Sequence, residues 1–208
     1  MKKLFITVAI ALTFLSSQLY AQDMGLYVGI GGNYAIQNFD TDEVNQELSP
    51  YGLHMNFDDS PGFSARVGYS FSKLFSAELV YDYFSDFSWN QTTIISGTPV
   101  TVKMETEIMT FMIAGKLSPN VGSETVRPYI TAGAGMMRGK LDLTGTAAGF
   151  TASASESESD ACGKIGVGID FYATKNISVG FEGSYVMGFG DMDNIRYTNL
   201  NLGVAYHF

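Results

Sequence analysis

From Gly25 onward, apolar and polar positions alternate with a period of two in one segment after another. That period puts successive side chains on opposite faces and predicts β-strand. The last segment is the clearest. In the run 196–208, Thr198, Leu200, Leu202, Val204, Tyr206 and Phe208 form one face, while Tyr197, Asn199, Asn201, Gly203, Ala205 and His207 form the other. A first strand over 25–37 sets Leu26, Val28, Ile30, Tyr34 and Ile36 against Tyr27, Gly29, Gly31 and Asn33. A second, over 62–72, sets Phe63, Ala65, Val67, Tyr69 and Phe71 against Ser64, Arg66, Gly68 and Ser70. A tight turn at Ser72–Leu74 leads into a third, with Ala77, Leu79, Tyr81 and Tyr83 opposing Glu78, Val80 and Asp82.

The fourth strand, over 102–117, is ambiguous, because Met109, Phe111 and Ile113 compete with Ile108, Met112 and Ala114 for one face. After a turn containing Pro119, Asn120 and Gly122, the fifth runs over 127–141, with Ile130, Ala132, Ala134 and Met136 opposite Tyr129, Thr131, Gly133 and Gly135. The sixth, over 161–173, sets Ile165, Val167, Ile169 and Phe171 against Lys164, Gly166, Gly168, Asp170 and Tyr172. The seventh, from Ile177 to Met187, sets Ile177, Val179, Phe181, Tyr185 and Met187 against Ser178, Gly180, Glu182 and Ser184. With the last segment that makes eight strands. The stretches 38–61 and 85–101 read as long polar connections, and 142–160, almost without bulky residues and without Lys or Arg, reads as a mobile loop.

Long connections follow the odd strands and shorter ones the even strands, as in an even-numbered antiparallel barrel whose termini share one side of a membrane. In lipid such a sheet must close, since an open edge leaves backbone groups unpaired. The predicted fold is therefore all-β, a closed eight-stranded antiparallel transmembrane barrel. A secreted carrier of the lipocalin type also alternates, with its apolar face inward. The polar face separates the two: a water-facing surface is rich in Lys, Glu and Arg, whereas here it is mostly Gly, Ser, Ala and Thr with single charges, which suits the crowded inside of a narrow barrel.

Composition narrows the picture. Lys2 and Lys3 precede an apolar run from Leu4 to Leu15 and small residues up to Ala21, the pattern of a secretory signal peptide over 1–21. The run is too short to span a bilayer as a helix, so 22–208 is expected to be one exported barrel domain. Losing Lys2 and Lys3 leaves 10 basic residues against 21 acidic ones, a formal charge of −11, which argues against a nucleic-acid partner. Cys162 is the only cysteine, so no intramolecular disulfide forms, and it reads as a small residue at a strand end.

Asn201, Gly203, Tyr206 and Phe208 resemble the C-terminal signal by which outer-membrane barrels are recognised for assembly. Together with the leader, the stretch Arg127, Pro128, Tyr129 through Gly133 and Gly135, and the pair Gly166 and Gly168 before Asp170, they make 21–208 similar to the small outer-membrane barrel family of opacity proteins and the transmembrane domain of outer membrane protein A. The resemblance implies a Gram-negative outer membrane, contact with its lipid and lipopolysaccharide, the barrel assembly machinery as a partner of the last strand, and a monomer without cofactors.

The chemistry on offer is structural. Some barrels of this size modify lipid A with a His and a Ser, but the two histidines, His54 in the first loop and His207 near the opposite end, have no partner the sequence identifies. Asp191, Met192, Asp193 and Asn194 start like a calcium loop but lack its later Gly and Glu. On the inward parity lie Arg66, Glu78, Asp82, Lys164, Asp170 and Glu182, joined by Arg138 and Lys140 if the fifth strand's register shifts near its outer end. Unpaired charges are costly in a narrow lumen, so these are expected to pair and to block solute. The acidic groups Asp40, Asp42, Glu43, Glu47, Asp58, Asp59, Glu156, Glu158, Asp160, Asp191 and Asp193 fall in outer loops, where they suit divalent-bridged lipopolysaccharide or a basic partner. The expected function is a non-enzymatic structural barrel and surface-contact scaffold for an unknown extracellular ligand. A narrow solute channel is the main alternative, ahead of a lipid-modifying barrel enzyme and a lipocalin-like carrier.

Overall fold

The computed structural model of the chain describes residues 24–39, 45–46, 49, 57–95, 98–119, 121–123, 125–148 and 150–208. The leader over 1–21, His54 and the acidic residues Asp40, Asp42, Glu43 and Glu47 lie outside them. Eight strands close into one antiparallel barrel in sequence order: β1 (Gly25–Gln37), β2 (Ser60–Ser70), β3 (Phe75–Ile95), β4 (Thr98–Leu117), β5 (Val126–Ala147), β6 (Phe150–Tyr172), β7 (Ile177–Gly188) and β8 (Arg196–His207). The seam is β1 against β8, from Tyr27↔His207 to Gln37↔Tyr197, so no strand edge is open within the closed part of the wall.

Burial is inverted relative to a water-soluble fold. Ile30 is 73 % exposed while Asp82 and Glu182 are 1 % exposed, which means that the apolar surface faces a solvent other than water. Val67, Leu79, Ile113, Ile130, Ile165, Val179, Phe181 and Leu202 share that outer face. Aromatic contacts Tyr69–Phe71, Phe71–Phe75 and Tyr206–Phe208 edge it near the short turns, and Phe63 with Tyr81 and Tyr83 edges it toward the long connections.

β4 settles its ambiguous parity through its neighbours. Continuous pairing with β3 and β5, including Thr110↔Asp82 and Lys116↔Thr131, turns Ile108, Thr110, Met112, Ala114 and Lys116 inward and Phe111 and Ile113 outward.

Two expectations are corrected. The stretches 85–101 and 142–160 do not read out as loops: β3 and β4 pair as far as Ile95↔Thr98, and β5 and β6 as far as Ala147↔Phe150. Together β3 to β6 rise beyond the barrel as a four-stranded sheet. Small hydroxyl residues tie its strands together, Thr92 to Thr101 at 2.8 Å and Thr146 to Thr151 at 3.2 Å, and ion pairs Lys103–Glu105 and Lys140–Asp142 run along single strands at 2.7 Å each, while Trp89, Val102 and Met104 at its base pack against the apolar interior. Arg138 and Lys140 do not turn into the lumen, because the β5 register runs unbroken on both sides and leaves Met137 and Gly139 as the buried parity.

Candidate functional site

The interior has two layers. In the layer nearer the short turns, two copies of one cross-strand motif face each other. Tyr27, Gly68 and Glu78 are register neighbours on β1, β2 and β3; Tyr129, Gly168 and Glu182 are the same on β5, β6 and β7. Each glycine leaves the space that its tyrosine ring occupies, and each tyrosine hydroxyl donates to its glutamate, Tyr27 to Glu78 at 2.6 Å and Tyr129 to Glu182 at 3.1 Å.

Three cations link the motifs. Lys116 Nζ lies 2.6 Å from Asp170 Oδ2, 3.9 Å from Glu78 Oε1 and 3.7 Å from the centre of the Tyr129 ring. Lys164 Nζ lies 2.6 Å from Glu182 Oε1, and Arg66 stands 3.7 Å from Glu182 Oε2 while donating to Asn201 Oδ1 at 2.8 Å. Asn201 in turn donates to Ser64 and Asn33, and Asn33 donates to Asp82 Oδ1 at 2.9 Å. The structure thus brings Arg66, Glu78, Asp82, Lys164, Asp170 and Glu182 into one buried cluster.

Sequence reading missed Lys116, Tyr27, Tyr129, Asn33 and Asn201 as members. Lys116 needed the register of β4. The four others carried a readable signal, a polar side chain amid small residues on the inward parity of their strands.

His207 closes the turn end. It stacks on Tyr27 and meets Tyr172, both at 5.1 Å between ring centres, and its Nε2 lies 2.9 Å from Ser178 Oγ. The adjoining cavity, lined by Tyr27, Arg66, Glu78, Lys116, Asp170 and Ser178 among others, measures about 20 Å³, room for one water and no substrate.

Toward the long connections the lumen is apolar, which the sequence reading did not anticipate. Phe84, Phe87, Ile108, Met112, Met137, Cys162, Val186 and Tyr197 pack there with Trp89 and Phe57. A bulge between Phe84 and Phe87 allows both rings to turn inward although they are three positions apart. Tyr197 contacts Phe84 at 5.1 Å between centres, and Phe39 bridges Phe57 and Phe87. A 3-10 turn, Gly190–Met192, drops Met192 onto this plug. Asp160 holds the turn by accepting from the Asp191 N–H at 2.9 Å, and Gly190 there has φ +60°, where a side chain is strained. Asp191 and Asp193 therefore belong to a turn that caps the lumen, and among the described residues no group of His, Cys, Asp or Glu is placed to hold a metal.

Of the four residues of the C-terminal motif, Tyr206 and Phe208 stack edge to face on the lipid side, 5.1 Å apart. Gly203 pairs with Gly31 and Gly180 on the lumen side, and Asn201 is committed to the polar cluster.

Above the barrel β6 has a free edge. Its ladder with β7 ends at Cys162↔Gly188, so from Phe150 to Ser159 the strand is paired on its β5 side and with no other strand among the described residues. Glu156, Glu158 and Asp160 continue the lumen-facing parity of this edge, and Ser153, Ser155, Ser157 and Ser159 lie on the opposite face.

Residues 7–208 match the family model described as the outer membrane protein beta-barrel domain. Among solved structures the chain is similar to Neisserial surface protein A (15 % identity, TM-score 0.59, covering 89 % of this chain and 99 % of that one). It is similar also to Ail, the attachment invasion locus protein of Yersinia pestis (17 % identity, TM-score 0.55, 88 % and 99 %), and to Ail in complex with the heparin analogue sucrose octasulfate (16 % identity, TM-score 0.53, 89 % and 99 %). No curated protein sequence matches it.

Proposed function

Because the chain belongs to the outer-membrane β-barrel family, and so is a protein of the Gram-negative outer membrane, we propose that it is a non-enzymatic, closed structural barrel whose raised sheet is a contact surface for an extracellular partner. In this reading residues 1–21 are removed on export, the last strand is presented to the assembly machinery through Tyr206 and Phe208, and the outer wall packs against lipid and lipopolysaccharide.

The observation that carries the reading is the free β6 edge. A strand of small residues paired on one side only offers main-chain donors and acceptors to an incoming extended segment. Glu156 and Glu158 beside it have no ion-pair partner among the described residues. A polyanion such as the one bound to Ail would be repelled here, so the favoured partner is cationic, a basic extended polypeptide.

The test is binding of intact cells to an immobilised basic peptide. Replacing Glu156 and Glu158 with Gln should weaken it, and Ser157→Pro, which removes a donor from the strand, should weaken it again. Binding unchanged by both variants would sink the contact-surface reading. The channel alternative has less support, since the lumen is filled both by the ion-pair cluster and by the apolar plug.

A further inference from the structure

The main chain of β6 alternates between its two edges. The Phe189 N–H donates to the Ala161 carbonyl at 2.9 Å, so Ala161 turns its peptide groups away from β5. Pairing with β5 is unbroken from Ala147↔Phe150 downward. The residues that share the parity of Ala161, namely Thr151, Ser153, Ser155, Ser157 and Ser159, therefore hold their N–H and C=O groups toward the free edge. An antiparallel strand laid there forms its hydrogen-bonded pairs opposite these residues. The residues between them meet it in the other kind of pair, in which Cα atoms approach to about 4.5 Å and side chains lie closest.

Those in-between residues are banded. On the lumen-facing parity Phe150, Ala152 and Ala154 lie toward the tip and Glu156 and Glu158 toward the barrel, all of them exposed. The register carries the upper band across the sheet, with Ala154 beside Leu143 and Met104 and Ala152 beside Gly145 and Val102. Glu156 and Glu158 have Leu141 and Gly139 as their cross-strand neighbours, neither of them a cation. The opposite face of the edge carries only hydroxyls. Two alanines at an edge leave room for large side chains on an incoming strand, and two carboxylates at alternate positions match two cations at alternate positions.

Resting on the contact-surface reading above, we infer that this edge selects its partner by pattern as well as by charge. The partner is an extended segment antiparallel to β6 that carries, from its N-terminal end and at every second position, two basic residues and then three apolar ones, with small polar residues between. The basic pair meets Glu158 and Glu156. The apolar side chains meet Ala154, Ala152 and Phe150 and extend the apolar face of the sheet. Antiparallel order keeps the alternation of the sheet and pairs more stably per residue than parallel order. A basic segment without this period turns part of its cations to the hydroxyl face and matches neither band.

The experiment is titration of the purified protein in nanodiscs with three fluorescent peptides of one composition. They are Lys-Thr-Lys-Thr-Val-Thr-Val-Thr-Val, its reverse, and an order that breaks the period, Lys-Lys-Thr-Thr-Val-Val-Thr-Thr-Val. The first should bind about tenfold more tightly than either of the others, as several matched cross-strand pairs together supply. Its binding should slow amide exchange at Ser153, Ser155 and Ser157, whose N–H groups lie on the edge. In the variant that joins Glu156→Lys with Glu158→Lys, the preference should pass to Glu-Thr-Glu-Thr-Val-Thr-Val-Thr-Val, a gain that a disrupted edge does not give. Equal or tighter binding of the reversed or the period-breaking peptide would overturn the pattern and leave the cationic contact surface standing. Binding of none of the three would overturn both.

Discussion

The Tyr27 ring occupies the space that a Cβ on Gly68, its direct partner across β1 and β2, would need. The same relation holds between Tyr129 and Gly168 across β5 and β6. In each case the missing side chain allows a large ring to lie across the sheet and carry its hydroxyl one strand further, to Glu78 or Glu182. A narrow barrel cannot point eight large side chains at its axis, so alternating glycine with a ring that bends over it fills the interior without clash.

That geometry predicts a paired effect. Gly68→Ala should displace the Tyr27 ring and destabilise the barrel by about 1–3 kcal/mol, the usual range for overpacking. Tyr27→Phe keeps the packing and loses the hydrogen bond to a buried carboxylate, a cost of about 1.5–3 kcal/mol. Urea unfolding followed by gel mobility measures both. If the ring is what Gly68 accommodates, Tyr27→Ala should remove most of the penalty of Gly68→Ala in the double variant.

Glu182 carries more than Glu78, because it meets Arg66, Lys164 and Tyr129, whereas Glu78 meets Lys116 and Tyr27 and shares that lysine with Asp170. Glu182→Gln should therefore cost about 3–5 kcal/mol, the range for a cation left buried without its partner, and Glu78→Gln clearly less. Equal losses in equilibrium unfolding would show that the two motifs share the load.

Conductance in a planar bilayer should be small and intermittent for the wild type. Glu182→Gln should raise the opening frequency modestly, because Phe84, Phe87 and Tyr197 still fill the other end. Adding Phe84→Ala and Phe87→Ala should raise it further. Steady, large, ion-selective conductance from the unmodified protein would move the channel reading ahead of the structural one.

Deleting Phe208 should reduce the amount assembled into the membrane far more than Phe71→Ala. Both rings are about half exposed on the lipid face, and losing one of them costs only about 1.5–3 kcal/mol of burial. A larger loss for Phe208 measures recognition of the last strand rather than packing. Pulse-chase trypsin protection with equal assembly of the two variants would make the C-terminal match accidental.

On the raised sheet, the hydrogen bond from Lys140 holds the Asp142 carboxyl below its ordinary range, with Ser155 adding to it. A lowered value in the folded state means that the ionised Asp142, held by Lys140 on its own strand and by Ser155 across the hairpin, supports the β5–β6 hairpin above the ordinary carboxylate pKa of about 3.9. The support is lost as pH falls through the lower folded value. Carboxyl NMR titration should find Asp142 below that reference, and Lys140→Gln should return it upward. No change in the variant would mean that the pair does not form in solution.

Period-two alternation determined the eight strands, which face of most of them meets lipid, and the closed barrel that lipid then requires. It determined as well that Arg66, Glu78, Asp82, Lys164, Asp170 and Glu182 share the inside, since parity along a strand is a local property. Three features waited for the tertiary structure. In β4 both parities are apolar, so Lys116 could be assigned inward only through its pairing with β3 and β5. The plug depends on a bulge that turns Phe84 and Phe87 to the same side, which a strict period of two forbids. The run from Asp142 to Asp160 has the composition of a loop and is a strand pair nonetheless, because its stability comes from partners on the neighbouring strand: Thr146 on Thr151, and Asp142 on Ser155. Composition reports what a segment can bury alone, and only the register reports what it can pair with.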